Sequence, residues 1–156
     1  MANIVFNIAK GRVVEYYNRV TSNDPANSAL VIVPIETSGL ESDATLGRKD
    51  DLAAVLSGTT NEQTTMGRKT LTNVDLAALP APDDVNDRYE VSLPTVLWTA
   101  VTGSSVSKLI VGFIPDTTSF TDADIVPLTM FDFPVLPSGA DVQMTGAVFA
   151  RAQQGA

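Results

Sequence analysis

"DDVNDRYEVSLPTVLWTA", residues 83–100, decides how the fold is read. Asn86-Asp87 has the composition of a hairpin turn, because short polar side chains tolerate left-handed backbone and bond their own main chain. After it, Tyr89, Val91 and Leu93 alternate with Arg88, Glu90 and Ser92. That is a period of two, the signature of a strand with one buried face. Pro94 interrupts it, and residues 95–100 continue as a second strand segment carrying the only tryptophan, Trp98. A lone tryptophan among strand residues is expected in the core, where its large apolar surface dominates local packing.

Working outward, turn signals recur roughly every ten to fifteen residues from position 84 on, close to the spacing of sandwiches and barrels. Strands are expected at 108–114, at 125–135 with breaks at Pro127 and Pro134, and at 141–151, with a fraying tail at 152–156. Upstream, "ALVIVPIE" (29–36) is an almost unbroken apolar run. It is expected to be a strand buried on both faces, with Pro34 at an edge or a bulge because proline donates no ladder hydrogen bond. A short strand is expected at 3–7.

Two helices are expected. In "RVVEYYNRV" (12–20), Val13, Tyr16, Tyr17 and Val20 fall on one helical face. In "KDDLAAVLSG" (49–58), acids open the first turn, Leu52, Val55 and Leu56 form a stripe, and Gly58 stands at the C′ position. Residues 21–28, 37–50 and 101–107 read as turns and loops, residues 59–71 as a polar exposed loop, and residues 72–84 as a short apolar patch ended by Pro80 and Pro82. The expected fold is mainly β, an antiparallel β-sandwich with one or two short helices. A single domain spans 1–156, with residues 1–28 as an arm or helix and 29–152 as a β-rich body.

The composition narrows the chemistry. The chain of 156 residues has neither cysteine nor histidine. Cysteine nucleophiles, Ser–His–Asp catalysis and zinc sites built on thiolate or imidazole are therefore excluded. Eighteen acids against ten bases give a formal charge of −8, which disfavours a phosphate backbone, so no nucleic-acid partner is expected. No apolar run reaches a membrane span and the N-terminal residues lack a secretory leader pattern, so the expected setting is the cytoplasm, without a membrane.

Acid clusters remain to be weighed. Asp83, Asp84 and Asp87, and again Asp116, Asp122 and Asp124, could offer oxygen ligands to a divalent cation. Neither has an EF-hand's spacing, and turn stabilisation explains both more economically. "GRKD" (47–50) and "GRKT" (67–70) lack the full phosphate-loop spacing, and "TGSS" (102–105) lacks a nucleophile elbow. A carboxylate pair of glycosidase type has no residues that single it out. No catalytic, cofactor or metal site is assigned. Tyr16 and Tyr17 beside Arg12 and Arg19 are candidate interface anchors, since tyrosine and arginine are enriched at binding hot spots.

Several segments resemble a family of small virion proteins of tailed bacteriophages, and most of all capsid decoration (cement) proteins. They are "NDPANSALVIVPIE" (23–36), "LESDATL" (40–46), "GRKTLT" (67–72), residues 83–100, "SKLIVGFIPDTTSFTDADIVPLTMFDF" (107–133) and "GAVFARA" (146–152). The resemblance implies a β-sandwich that binds the outer surface of an assembled head and reinforces it. The implied partners are the major capsid protein and other copies of the chain, with a homotrimer favoured, and the implied location is the virion. It carries no catalytic residue. Where the family pattern has two glycines, this chain has Ser119-Phe120, so Phe120 joins the candidate contacts, as do Met66 and Arg68 in the 59–70 loop. Two other readings stand beside it: a minor tail or fibre-associated module that binds a host surface, and a carbohydrate-active enzyme on a β-sandwich.

Overall fold

The computed structural model describes residues 4–153. Among the described residues, nine strands, three short α-helices and two 3-10 turns make a mainly β, antiparallel architecture. Its centre is a five-stranded sheet in the order β1-β7-β6-β2-β3, formed by Ile4–Val5, Val126–Val135, Val106–Ile114, Ala29–Glu36 and Lys69–Leu71. Two separate ribbons accompany it: β4 (Arg88–Ser92) with β9 (Val148–Gln153), and β5 (Val96–Trp98) with β8 (Val142–Met144).

β2 and β6 explain why the sheet is buried on both sides. Alternate residues of a strand face opposite ways. Leu30 and Ile32 of β2, with Leu109, Val111 and Phe113 of β6, join one core. Val31, Val33 and Ile35, with Ile110 and Ile114, join the other. Pro34 bonds toward the side away from β6, where its carbonyl accepts the Gln63 N–H at 2.9 Å. β3 pairs only with Leu30–Ile32, so the missing proline donor falls where no ladder partner is required.

The first core is closed by α1 (Val13–Thr21) and the two ribbons. α1 buries Val13, Tyr16, Tyr17 and Val20, the stripe expected from their spacing. Tyr16 packs on Phe113 of β6 with ring centroids 4.9 Å apart. Trp98 is 1% exposed, packs against Phe133 and donates its indole N–H to the Gly67 carbonyl at 3.0 Å. The second core is closed by α2 (Asp43–Leu46) and α3 (Leu52–Leu56), with Phe6 and Ile125. Burying a side chain of this size stabilises by about 1.5–3 kcal/mol, so both cores contribute substantially to holding the sheet.

Several sequence expectations are corrected. The layer opposite the sheet is two ribbons plus a helix, and the ribbons do not merge into the second sheet of a sandwich. There are three helices instead of one or two, because the expected loop 37–50 contains α2, capped by Ser42 accepting the Thr45 N–H at 3.2 Å. α3 is shorter than 49–58 because Asp51 is its N-cap. Gly58 does stand at C′, and a Cβ there would lie 2.6 Å from a Glu41 carboxylate oxygen.

Residues 126–135 form one strand through both prolines. Pro127 is absorbed by a register shift opposite Val111/Gly112, and Pro134 lies near the strand end. The expected last strand is two strands with different partners, and β9 extends to Gln153, into the tail expected to fray. Asn3 of the expected first strand and residues 154–156 lie outside the described residues. The turn at 83–88 closes on one bridge, Asp83 to Arg88, while β4 finds its true partner in the distant β9.

Candidate contact surface

The seven candidate interface residues separate by burial. Tyr16, Tyr17 and Met66 are 7%, 1% and 6% exposed and offer a partner almost no area. The Tyr17 hydroxyl donates to the Ala77 carbonyl at 2.8 Å, tying the 72–84 segment down over α1. Burial pushes the Tyr17 hydroxyl above the ordinary tyrosine range, so it stays a protonated donor. Met66 is in the core because its loop is not the exposed loop expected. Thr60, Gln63 and Met66, three apart, all face inward. The Gln63 amide donates to the carbonyls of Thr102 and Ser104 at 3.2 and 3.1 Å, and its oxygen accepts the Met66 N–H at 2.9 Å.

Arg12 and Arg19 remain on the surface, both bound to Glu15 at 3.0 Å. Such exposed helical pairs are screened by solvent and contribute little to stability.

Arg68 and Phe120 are brought together. Arg68 bonds Glu62 and Asp122 at 2.6 Å each and donates two hydrogen bonds to each carboxylate. The hydrogen bonds that the guanidinium donates to Glu62, then those to Asp122, raise its pKa further. This clamp pins residues 115–125 to the 59–68 loop. Within the pinned loop, Asp116 accepts from the Thr118 N–H and hydroxyl, and Thr121 and Asp124 form a reciprocal capping box around the 3-10 turn Asp122–Asp124. These bonds hold Asp116 and Asp124 below the usual carboxylate range, through Thr118 and Thr121 respectively. Phe120, at the tip, is 40% exposed.

The other acid cluster behaves differently. Asp83 bonds Asn86 and Arg88, and the Asn86 side chain is the main reason its carboxyl is held below the usual range. Asp84 and Asp87 are exposed, with no side-chain bond among the described residues, and Val85 between them is 92% exposed. Among the described residues no group of carboxylates has the arrangement to hold a metal ion. No described helix is long and apolar enough to cross a membrane.

A groove of about 440 Å³ lies between the β4–β9 ribbon and the start of α1. Val5, Val14, Val148 and Ala150, with the rings of Tyr89 and Phe149, give it an apolar lining, and Lys10 and Arg151 are its cations. Lys10 also borders a neighbouring depression with Arg48. The residues that line these surfaces were not singled out by the sequence, because β9 and α1 are far apart in the chain. No protein-family model matches the chain, and neither a curated protein nor a solved structure matches it.

Proposed function

We propose that the protein is a structural virion protein that binds the outer surface of an assembled phage head and stabilises it by non-covalent contacts, with the major capsid protein as its partner. The observation that carries this reading is the pinned loop at 115–125. It presents an aromatic side chain, Phe120, on a backbone already held by the Arg68 clamp, an Asp116 turn and a capping box. Binding through a preformed loop avoids the ordering cost that a flexible loop incurs, roughly 0.5–1.5 kcal/mol per immobilised side chain. The phage-like segments include this loop, and a position that is glycine in their pattern is Phe120 here.

The two rival readings draw less from the structure. A glycosidase-type acid needs a carboxyl raised above its usual range. Glu15, Glu41, Asp83, Asp116 and Asp124 are all held below it, by partners that stabilise the charged form. A host-glycan groove is expected to present exposed aromatic rings, and of the two rings that line the apolar groove here Phe149 is buried and Tyr89 is only partly exposed.

Incubating the purified protein with undecorated heads and sedimenting them tests the proposal. Co-sedimentation that saturates, and that weakens at least tenfold in Phe120→Gly while the variant keeps its melting temperature, is the expected result. Absence of binding at micromolar protein would sink the reading. Binding indifferent to Phe120→Gly would move the contact away from this loop.

A further inference from the structure

In a chain of net charge −8, self-association is favoured where an acidic face of one copy meets a basic face of the next. Seven of its ten cations are engaged in internal ion pairs: Arg12, Arg19, Lys49, Arg68, Arg88, Lys108 and Arg151. Lys10, Arg48 and Lys69 have no carboxylate partner among the described residues, and Lys69 instead lies over the Trp98 ring. The two remaining cations, Lys10 and Arg48, border one depression, where the Asp43 carboxylate is already engaged by Lys108, and Lys10 also lines the apolar groove beside it.

The complementary shape is present on the same molecule. The turn at 84–87 offers Val85, the most exposed of the large hydrophobic residues, between two aspartates that no described side chain neutralises. An apolar tip flanked by anions matches an apolar groove flanked by cations.

We propose that the Asp84–Asp87 turn of one copy seats in this groove on a second copy, with Val85 against Val5, Val14 and Val148, and with Asp84 and Asp87 facing Lys10 and Arg48. The donor turn and the acceptor groove are different patches, so each copy offers one of each, and any rotation that closes, a two-fold exchange included, gives a closed assembly. Tyr89, just beyond the turn, lines the acceptor groove, which places donor and acceptor on the same end of the β4–β9 ribbon. A contact of this size is weak singly, and a closed ring strengthens it because the last contact forms intramolecularly. The inference deepens the self-association expected of a decoration protein, but it does not depend on any capsid.

The test is solution mass by light scattering across a concentration series, with circular dichroism melts to confirm folding. The expected result is an oligomer that Val85→Asp converts to monomer. Lys10→Asp with Arg48→Asp should do the same, and adding Asp84→Lys with Asp87→Lys should restore the mass. A wild-type chain that is monomeric at every concentration overturns the proposal. So does an oligomer that survives Val85→Asp or the double charge reversal, or one that the compensating lysines fail to restore. If the wild-type chain is monomeric while head binding persists, this inference fails and the decoration reading stands. Retained oligomerisation without head binding has the opposite meaning.

Discussion

Two acid-rich loops of this protein have similar composition and opposite fates. In residues 115–125, Asp116, Asp122 and Asp124 are all engaged, by Thr118, Arg68 and Thr121. In the turn 83–88, only Asp83 is engaged, and Asp84 and Asp87 stand in solvent around a bare Val85. Composition alone does not distinguish these states. What separates them is whether the fold brings a donor within reach. Arg68, 54 residues upstream of Asp122, arrives at the first loop because β3 places it at the sheet edge. The second turn lies at the end of a ribbon with only its own neighbours, Asn86 and Arg88, to bond. The first loop uses its charges to hold itself; the second leaves them for something outside the chain.

The largest expected effect comes from the support beneath the first loop. Gln63 is 1% exposed and serves two carbonyls and one N–H. Gln63→Ala leaves those backbone groups buried and unpaired, and should cost about 2–4 kcal/mol by chemical denaturation. The loss should propagate to residues 115–125, since Arg68 follows Gln63 by little more than one turn of chain. A smaller cost would mean that the 59–68 loop is held chiefly by Met66. Next is the clamp itself. Arg68→Met leaves Glu62 and Asp122 facing each other without a cation, and should cost roughly 1–3 kcal/mol, less than for a fully buried pair because the site is partly hydrated. Faster amide exchange confined to 115–125 is the matching observation.

Acid should separate the loops as well. Asp116 and Asp124 have native values below their unfolded ones, about 3.9, so they contribute stability that is fully present above roughly pH 5 and is lost as pH falls below about 4. The melting temperature should hold from neutral pH to about 5 and then decline. Asp116→Asn with Asp124→Asn removes those titrating groups and should flatten the decline. An unchanged slope in the double variant would show that Asp83, held down by Asn86, governs acid sensitivity instead.

How much of this was legible beforehand follows physical lines. Local signals were readable: the α1 stripe, the two-faced run of β2, the alternation of β4 and the burial of Trp98 all depend on neighbours three, four or two residues away. Pairing was not. β4 meets β9 across some sixty residues, as Glu90 with Arg151 shows, and nothing in either segment names the other. The polar loop at 59–71 misled because threonine and glutamine read as exposed until a partner is supplied. The three-residue spacing of Thr60, Gln63 and Met66 was the one available hint. Lys108 is a similar case. Burial disfavours its charge, but hydrogen bonds to Asp132 and Asp43 outweigh that and keep its pKa above the ordinary lysine value, joining α2 to the sheet. The contact surface was the least readable part, since Tyr16, Tyr17 and Met66 have hot-spot or loop character and core positions.

The smallest expected effect is the most discriminating. Val85→Ser should leave the stability of the monomer within about 0.5 kcal/mol of wild type, because a side chain 92% exposed makes no packing contact to lose. Unfolding is best followed at the lowest workable concentration, where self-association contributes least. A shift of the denaturant midpoint there would mean that Val85 supports its own chain, and the distinction between the two loops would collapse. If the midpoint is unchanged at low concentration but falls at high concentration, where wild type gains stability by mass action, then Val85 acts only between copies. An exposed valine that matters only when a second molecule is present is what a docking turn requires, and a merely tolerated surface residue would show no dependence on concentration.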